Sequence, residues 1–324
     1  MRKGAGVGTA TIGDVQVVDN LGTVAAESGV IDFAGGYAAF HSTQFIGAGT
    51  VRVSSNAFFN GLSAANLELA GGLFTGQGGP AQHPADLYGQ VRWSGGQFAG
   101  GFWNHAALTV LPTGQTGLAN GSAFYNDGTV QGAGVITATN ASFSNNGILS
   151  PGNPFGMLVF NGNLYESSAS TMQIAIGGNQ TNQFSSLTVG GTLVLAGTLR
   201  VSLENGFAPA VGTKFPILSC TNRTGTFGAL TLPTGFSINY TNTGAFLIVA
   251  SAVPAQILFP QVSGANFTFR IATASNQSYT VQTSADMTAS NWHFFTNFTG
   301  NGLPFQITTP VTTAPQLFFR VREP

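Results

Sequence analysis

The chain has 324 residues, with 45 glycines and 27 phenylalanines but only 10 basic and 11 acidic side chains, where an average sequence of this length carries roughly 80 charges. At 43% hydrophobic it is too apolar for a disordered tract, and a net charge of −1 without a basic run argues against nucleic acid as a partner. The single cysteine, Cys220, excludes an intrachain disulfide, and no uncharged apolar run approaches the ~20 residues of a membrane-spanning helix.

The chain opens on a basic Met1-Arg2-Lys3, but glycines and then Asp14 stand where the apolar centre of a signal peptide would lie. The first 14 residues are also too glycine-rich to cap a repeat stack. Together these features predict a C-terminal fragment of a longer repeat protein, with more solenoid and the signal peptide upstream.

Imperfect repeats then run to about residue 160. Gly-Thr-Val recurs at Gly22, Gly49 and Gly128, with Gly147-Ile148-Leu149 as a variant, and Asn20, Asn126 and Asn145 each stand two residues before their glycine. An apolar-x-Gly-Gly element ends at Gly36, Gly72, Gly96 and Gly101. The spacings of 27 residues from Gly22 to Gly49, 24 from Gly72 to Gly96 and 19 from Gly128 to Gly147 mean stacked supersecondary units. Val15 and Val17, and Val51 and Val53, alternate with small or polar neighbours as half-buried strands do. Short strands joined by glycine and asparagine turns describe a right-handed parallel β-helix, in which stacked asparagines can bond from coil to coil. An antiparallel sandwich or barrel is the alternative.

Beyond Leu149 comes a double turn, Ser150-Pro151-Gly152-Asn153-Pro154-Phe155-Gly156, and then strand-like runs at Met157–Phe160, Met172–Ile176, Ser186–Gly191, Leu193–Val201, Lys214–Leu218 and Ala245–Val249. The order Leu149-Ser150-Pro151-Gly152, Gly190-Gly191-Thr192-Leu193, Gly197-Thr198-Leu199, Pro209 to Phe215 and Gly225-Thr226-Phe227 resembles autotransporter-type passenger β-helices over about residues 120–250. The resemblance implies a β-helix of a large bacterial surface or secreted protein. Too few residues follow for the membrane barrel of an autotransporter, whose smallest form has 8 strands.

Residues 251–255 read as a linker. After it, Phe267, Phe269 and Ile271, then Tyr279 and Val281, Trp292, Phe305 and Ile307, and Leu317, Phe319 and Val321 predict five strands of a small antiparallel β-sandwich with Trp292 in its core. Tyr279-Thr280-Val281-Gln282, Trp292, Gly300-x-Gly302 and Phe318-Phe319-Arg320-Val321-Arg322 make this segment similar to a C-terminal β-sandwich module of long secreted bacterial proteins. The predicted fold is therefore all-β: a parallel β-helix over 1–250, irregular to about 150 and autotransporter-like over 151–250, and a sandwich over 256–324.

Catalytic motifs are missing: there is no Gly-x-Ser-x-Gly, His-Glu-x-x-His, Cys-x-x-Cys or Walker loop. Carbohydrate-active β-helices need paired acids, and the one concentration is Asp14, Asp19, Glu27 and Asp32. These read as solvated turn residues, or as a site if they converge beside a basic group. His41, His83, His105 and His293 are scattered, so no metal site is expected. Between residues 88 and 105, Tyr88, Trp93, Phe98, Phe102, Trp103 and His105 cluster. They read as core packing or as a glycan-contacting surface formed by Tyr88, Trp93, Trp103 and His105. The leading expectation is a non-enzymatic extracellular or cell-surface structural or adhesin-like solenoid without cofactors. Its partner would be a cell-surface glycan or another surface protein. A polysaccharide lyase or hydrolase and a non-catalytic glycan-binding module are the alternatives.

Overall fold

The computed structural model describes residues 1–13, 17–19, 22–39, 43–76, 84–112, 114–250, 255–274, 277–287, 291–311 and 316–322. Every regular element among them is a β-strand. A 28-stranded sheet runs from Arg2–Lys3 to Gly244–Val249, and its strands pair in parallel with those of the coils before and after. Two 3-stranded antiparallel sheets follow. The protein is a β-solenoid that ends in a small β-sandwich.

Side-chain alternation sets the stacking. Ile31-Asp32-Phe33, Val51-Arg52-Val53, Leu67-Glu68-Leu69 and Val91-Arg92-Trp93 lie over one another in register. In each triplet the flanking apolar residues are buried in the core and the charged one lies on the opposite face of the strand, where Asp32, Arg52 and Arg92 reach solvent and Glu68 is covered by its partners. A slip by one residue would turn every apolar side chain into water. The inward column continues through Leu108, Val130, Leu149, Met172 and Leu199.

The outward charges alternate in sign along the same column. Arg52 Nη2 lies 3.0 Å from Glu68 Oε2 and Arg52 Nε donates to the same oxygen at 3.1 Å. Ser94 Oγ donates to Glu68 Oε1 at 2.8 Å and Ser54 Oγ to Asp32 Oδ1 at 2.7 Å. Burial pushes the Glu68 carboxyl up, but the bonds from Ser94 and Arg52 and the charges of Arg52 and Arg92 outweigh it, leaving the group below its ordinary value.

A second column is polar and buried. Asn104 Nδ2 donates to Asn126 Oδ1 at 2.7 Å, Asn126 Nδ2 to Asn145 Oδ1 at 2.6 Å, and Asn145 Nδ2 to Glu166 Oε2 at 2.8 Å. The steps along the chain are 22, 19 and 21 residues, one coil each. Each amide also reaches the carbonyl two residues on, at Ala106, Gly128 and Gly147, and so holds its own turn. The expected asparagine ladder is thus present at Asn126 and Asn145, whereas Asn20 lies outside the described residues. A Cβ at Gly147 would run into the Gly128 carbonyl oxygen, which is why Asn-x-Gly marks this turn. Glu166 ends the column, with Oε1 lacking a hydrogen-bond partner.

Between the columns the interior is filled with rings. Phe98 packs against Trp93, Phe102, Phe124 and Phe74 at centroid distances of 4.6, 4.6, 5.4 and 5.8 Å. The series runs on through Phe124–Phe143 and Phe143–Phe160. Where the Ala85–Trp93 strand bends, Gly89 sits at φ +90° with its hydrogen facing the Ala64 carbonyl. Gly89→Ala introduces both a strained φ and a backbone clash. It is expected to cost about 2 kcal/mol or more in urea unfolding, and an unchanged midpoint would show that the bend relaxes.

The last parallel pairings are those of Lys214–Gly225 with Ser185–Leu195 and of Ala229–Thr231 with Thr198–Leu203, and Lys214–Gly225 pairs antiparallel with Gly244–Val249 on its other side. Gly244–Val249 then pairs antiparallel with Phe236–Thr241, so a hairpin covers the final coil. Of the expected linker, 251–254 lie outside the described residues. Among the described residues the sandwich has six strands, Ile257–Ser263, Asn266–Ile271, Ser278–Ser284, His293–Thr299, Phe305–Pro310 and Phe318–Arg322, around Phe269, Ile271, Val281 and Ile307. Trp292 is outside that core, contrary to expectation. It is half-buried, with the Arg320 guanidinium 4.4 Å above its ring. Leu258 packs beside Ala208, Ala272, Leu203 and Phe236 and joins the sandwich to the last coils.

Candidate outward aromatic face

The strands Ala85–Trp93, Gly101–Asn104, Ala123–Asn126, Gly134–Asn145 and Gly156–Glu166 stack in register, with the buried asparagine ladder pointing inward. Because side chains alternate, the residues on either side of that ladder must point outward. One outward column is Asp86, Trp103, Tyr125, Ser144 and Tyr165. The other continues the register two residues along: Tyr88, His105, Asp127, Asn146 and Ser167.

Four aromatic rings in these columns form a connected surface. Tyr88 stacks on His105 with centroids 4.8 Å apart and planes 13° apart, His105 lies 5.4 Å from Trp103, and Trp103 lies 6.4 Å from Tyr125. Two of the four, His105 and Trp103, are tied down by acids. His105 Nε2 and Asp86 Oδ1 are 3.2 Å apart, and Trp103 Nε1 donates to Asp127 Oδ2 at 2.7 Å. Asn146 Nδ2 donates to Asp127 Oδ1 at 3.0 Å. Tyr88 remains 46% exposed and Tyr165 42%. This is an amphipathic face: the sheet beneath sets the ring positions and the carboxylates hold the tilt of His105 and Trp103.

Of the four residues expected to contact a glycan, Tyr88, Trp103 and His105 come together here and Trp93 does not. Trp93 belongs to the inward column of Phe33, Val53 and Leu69, is fully buried, and donates its Nε1 to the Gly96 carbonyl at 3.2 Å. The cause is parity: Trp93 follows outward Arg92 by one residue, whereas Trp103 precedes inward Asn104 by one. Phe98 and Phe102 are core residues for the same reason. The sequence reading missed Tyr125, Asp86 and Asp127. Their signal was the phase of each residue relative to Asn104 and Asn126.

The acidic group near the N-terminus is only partly described. Glu27 lies 3.4 Å from exposed Arg2, and Asp32 accepts from Ser54 in the charged column, so these two acids engage separate partners. Asp14 and the side chain of Asp19 lie outside the described residues. His41 and His83 do as well, and His293 is exposed on a sandwich strand. Among the described residues no three His, Cys, Asp or Glu converge to hold a metal, and no helix is long and apolar enough to cross a membrane. A cleft of about 640 Å³ at the solenoid–sandwich junction is lined by one carboxylate, Glu204, which accepts from Ser202 at 2.6 Å.

No protein-family model matches the sequence, and no curated protein does so.

Proposed function

We propose that this chain is a non-enzymatic, adhesin-like β-solenoid of the cell surface or extracellular space, and that its outward aromatic face makes the contact. The observation that supports this most directly is the connected ring surface of Tyr88, His105, Trp103 and Tyr125, held on three stacked strands. Exposed aromatic rings with polar tips are common anchors at binding surfaces, because they bury a large area at little entropic cost. The likeness of residues 120–250 to autotransporter-type passengers supports the surface location.

The test presents the whole chain on beads to surfaces coated with plant, bacterial and animal polysaccharides or with matrix proteins, and assays the released sugars. Retention on at least one surface without new reducing ends or unsaturated products is the expected result. Release of such products would replace adhesion with catalysis, and retention on none would overturn the contact role.

A further inference from the structure

We infer that the two outward columns bind an uncharged, hydroxyl-rich saccharide chain lying across the coils, a ligand assignment that rests on the adhesive reading above. Three observations carry it.

The first is ring geometry. Tyr88 stacks one face on His105, while on the other side its register neighbour is the small, exposed Ser63. Room is thus left over the outer part of the phenol ring for a flat, apolar sugar face.

The second is hydrogen-bonding capacity. Asp86 and Asp127 each accept from a ring nitrogen or an amide, yet a carboxylate has about four lone-pair sites and can take further donors. Sugar hydroxyls supply such donors. Farther along the columns Ser144, Asn146 and Ser167 present more hydroxyl and amide groups, and the run from Asp86 to Tyr165 spans roughly 19 Å at the ~4.8 Å strand spacing.

The third is charge. No lysine or arginine stands in either column, and both fixed charges are carboxylates. A polyuronate or sulfated chain would meet repulsion without a compensating cation. A neutral chain meets rings, acceptors and uncharged hydroxyl and amide donors without that repulsion.

The experiment titrates the full-length protein with cellohexaose, maltohexaose, hexagalacturonate and chitosan hexamer, following tryptophan fluorescence and calorimetric heat. At least one neutral hexamer is expected to bind. Trp103→Ala and Tyr88→Ala should each weaken it by about tenfold or more, while Trp93→Phe, altered only in the core, keeps wild-type affinity. Trp103→Phe retains a ring and should lose less than Trp103→Ala, which separates stacking from folding damage. Asp86→Asn with Asp127→Asn should admit hexagalacturonate.

Preference for hexagalacturonate by the unaltered protein, or salt-sensitive binding of chitosan alone, would overturn the assignment. So would neutral binding that survives both alanine variants. If no neutral hexamer binds while beads still adhere to protein-coated surfaces, this ligand fails and the adhesive reading stands. If the beads also adhere to nothing, both fail.

Discussion

Between pH 5 and pH 8, Glu166→Gln should gain roughly 2.5 kcal/mol of stability relative to the unaltered protein. Glu166 is buried at the end of the asparagine ladder, and burial raises its carboxyl from 4.5 to about 7, offset only in part by Ser170 and Asn145. Below pH 4.5 the group is protonated in both folded and unfolded chains and contributes no pH dependence. Between 4.5 and 7 the unfolded chain releases the proton and the folded one keeps it, so stability falls with rising pH by about 1.4 kcal/mol per unit. Above 7 both forms are ionised and the loss is complete. Glutamine cannot titrate, yet its carbonyl still accepts from Asn145, so its curve lacks this slope. Glu68, whose carboxyl is held low, acts oppositely, and its stabilisation is lost as pH falls below the ordinary carboxylate range. Urea unfolding of both proteins at pH 5, 6, 7 and 8 isolates the Glu166 contribution. Parallel curves across that range would show that Glu166 is ionised in the folded state throughout.

Phe98→Ala should cost about 3–5 kcal/mol, the usual range for deleting a fully packed ring. Phe98 touches four other rings from neighbouring coils and strands, so its removal leaves a cavity that rigid sheets on every side cannot close. Because solenoid coils contact mainly their neighbours, the damage should remain local. Amide exchange should accelerate from Gly61–Leu69 to Thr129–Gly132, while Ser278–Ser284 in the sandwich keeps its protection. Phe98→Leu should recover more than half of the loss. Equal acceleration in the solenoid and the sandwich would mean that the two fold as one cooperative unit.

Much of the architecture was legible because glycine and asparagine carry specific geometry. Asn126 and Asn145, each followed by x-Gly, marked turns whose side chains do bond between coils. The charged column was equally visible yet unread. Ile31-Asp32-Phe33, Val51-Arg52-Val53, Leu67-Glu68-Leu69 and Val91-Arg92-Trp93 are the same apolar-charge-apolar triplet with alternating sign, but their unequal spacing hides the repeat from a fixed-period search. The Ile257–Ser263 strand escaped for another reason: its side chains are almost all exposed, so they show no inside–outside alternation. Trp93 shows the limit for the site. Clustering along the chain cannot separate inward from outward rings until each strand has a phase, and here Asn104 sets it from the buried side.

Stacked registers also make the outward face a ruler. Each coil takes about 20 residues to advance one strand spacing, ~4.8 Å, where an α-helix would advance about 30 Å over the same length of chain. Reach is therefore costly in residues, but it is graduated: adding or removing a whole coil shifts every column by one mark and leaves the pattern across it intact. A ligand read by such a face is measured by its own repeat length, and selection among ligands becomes a matter of commensurate spacing rather than of pocket shape.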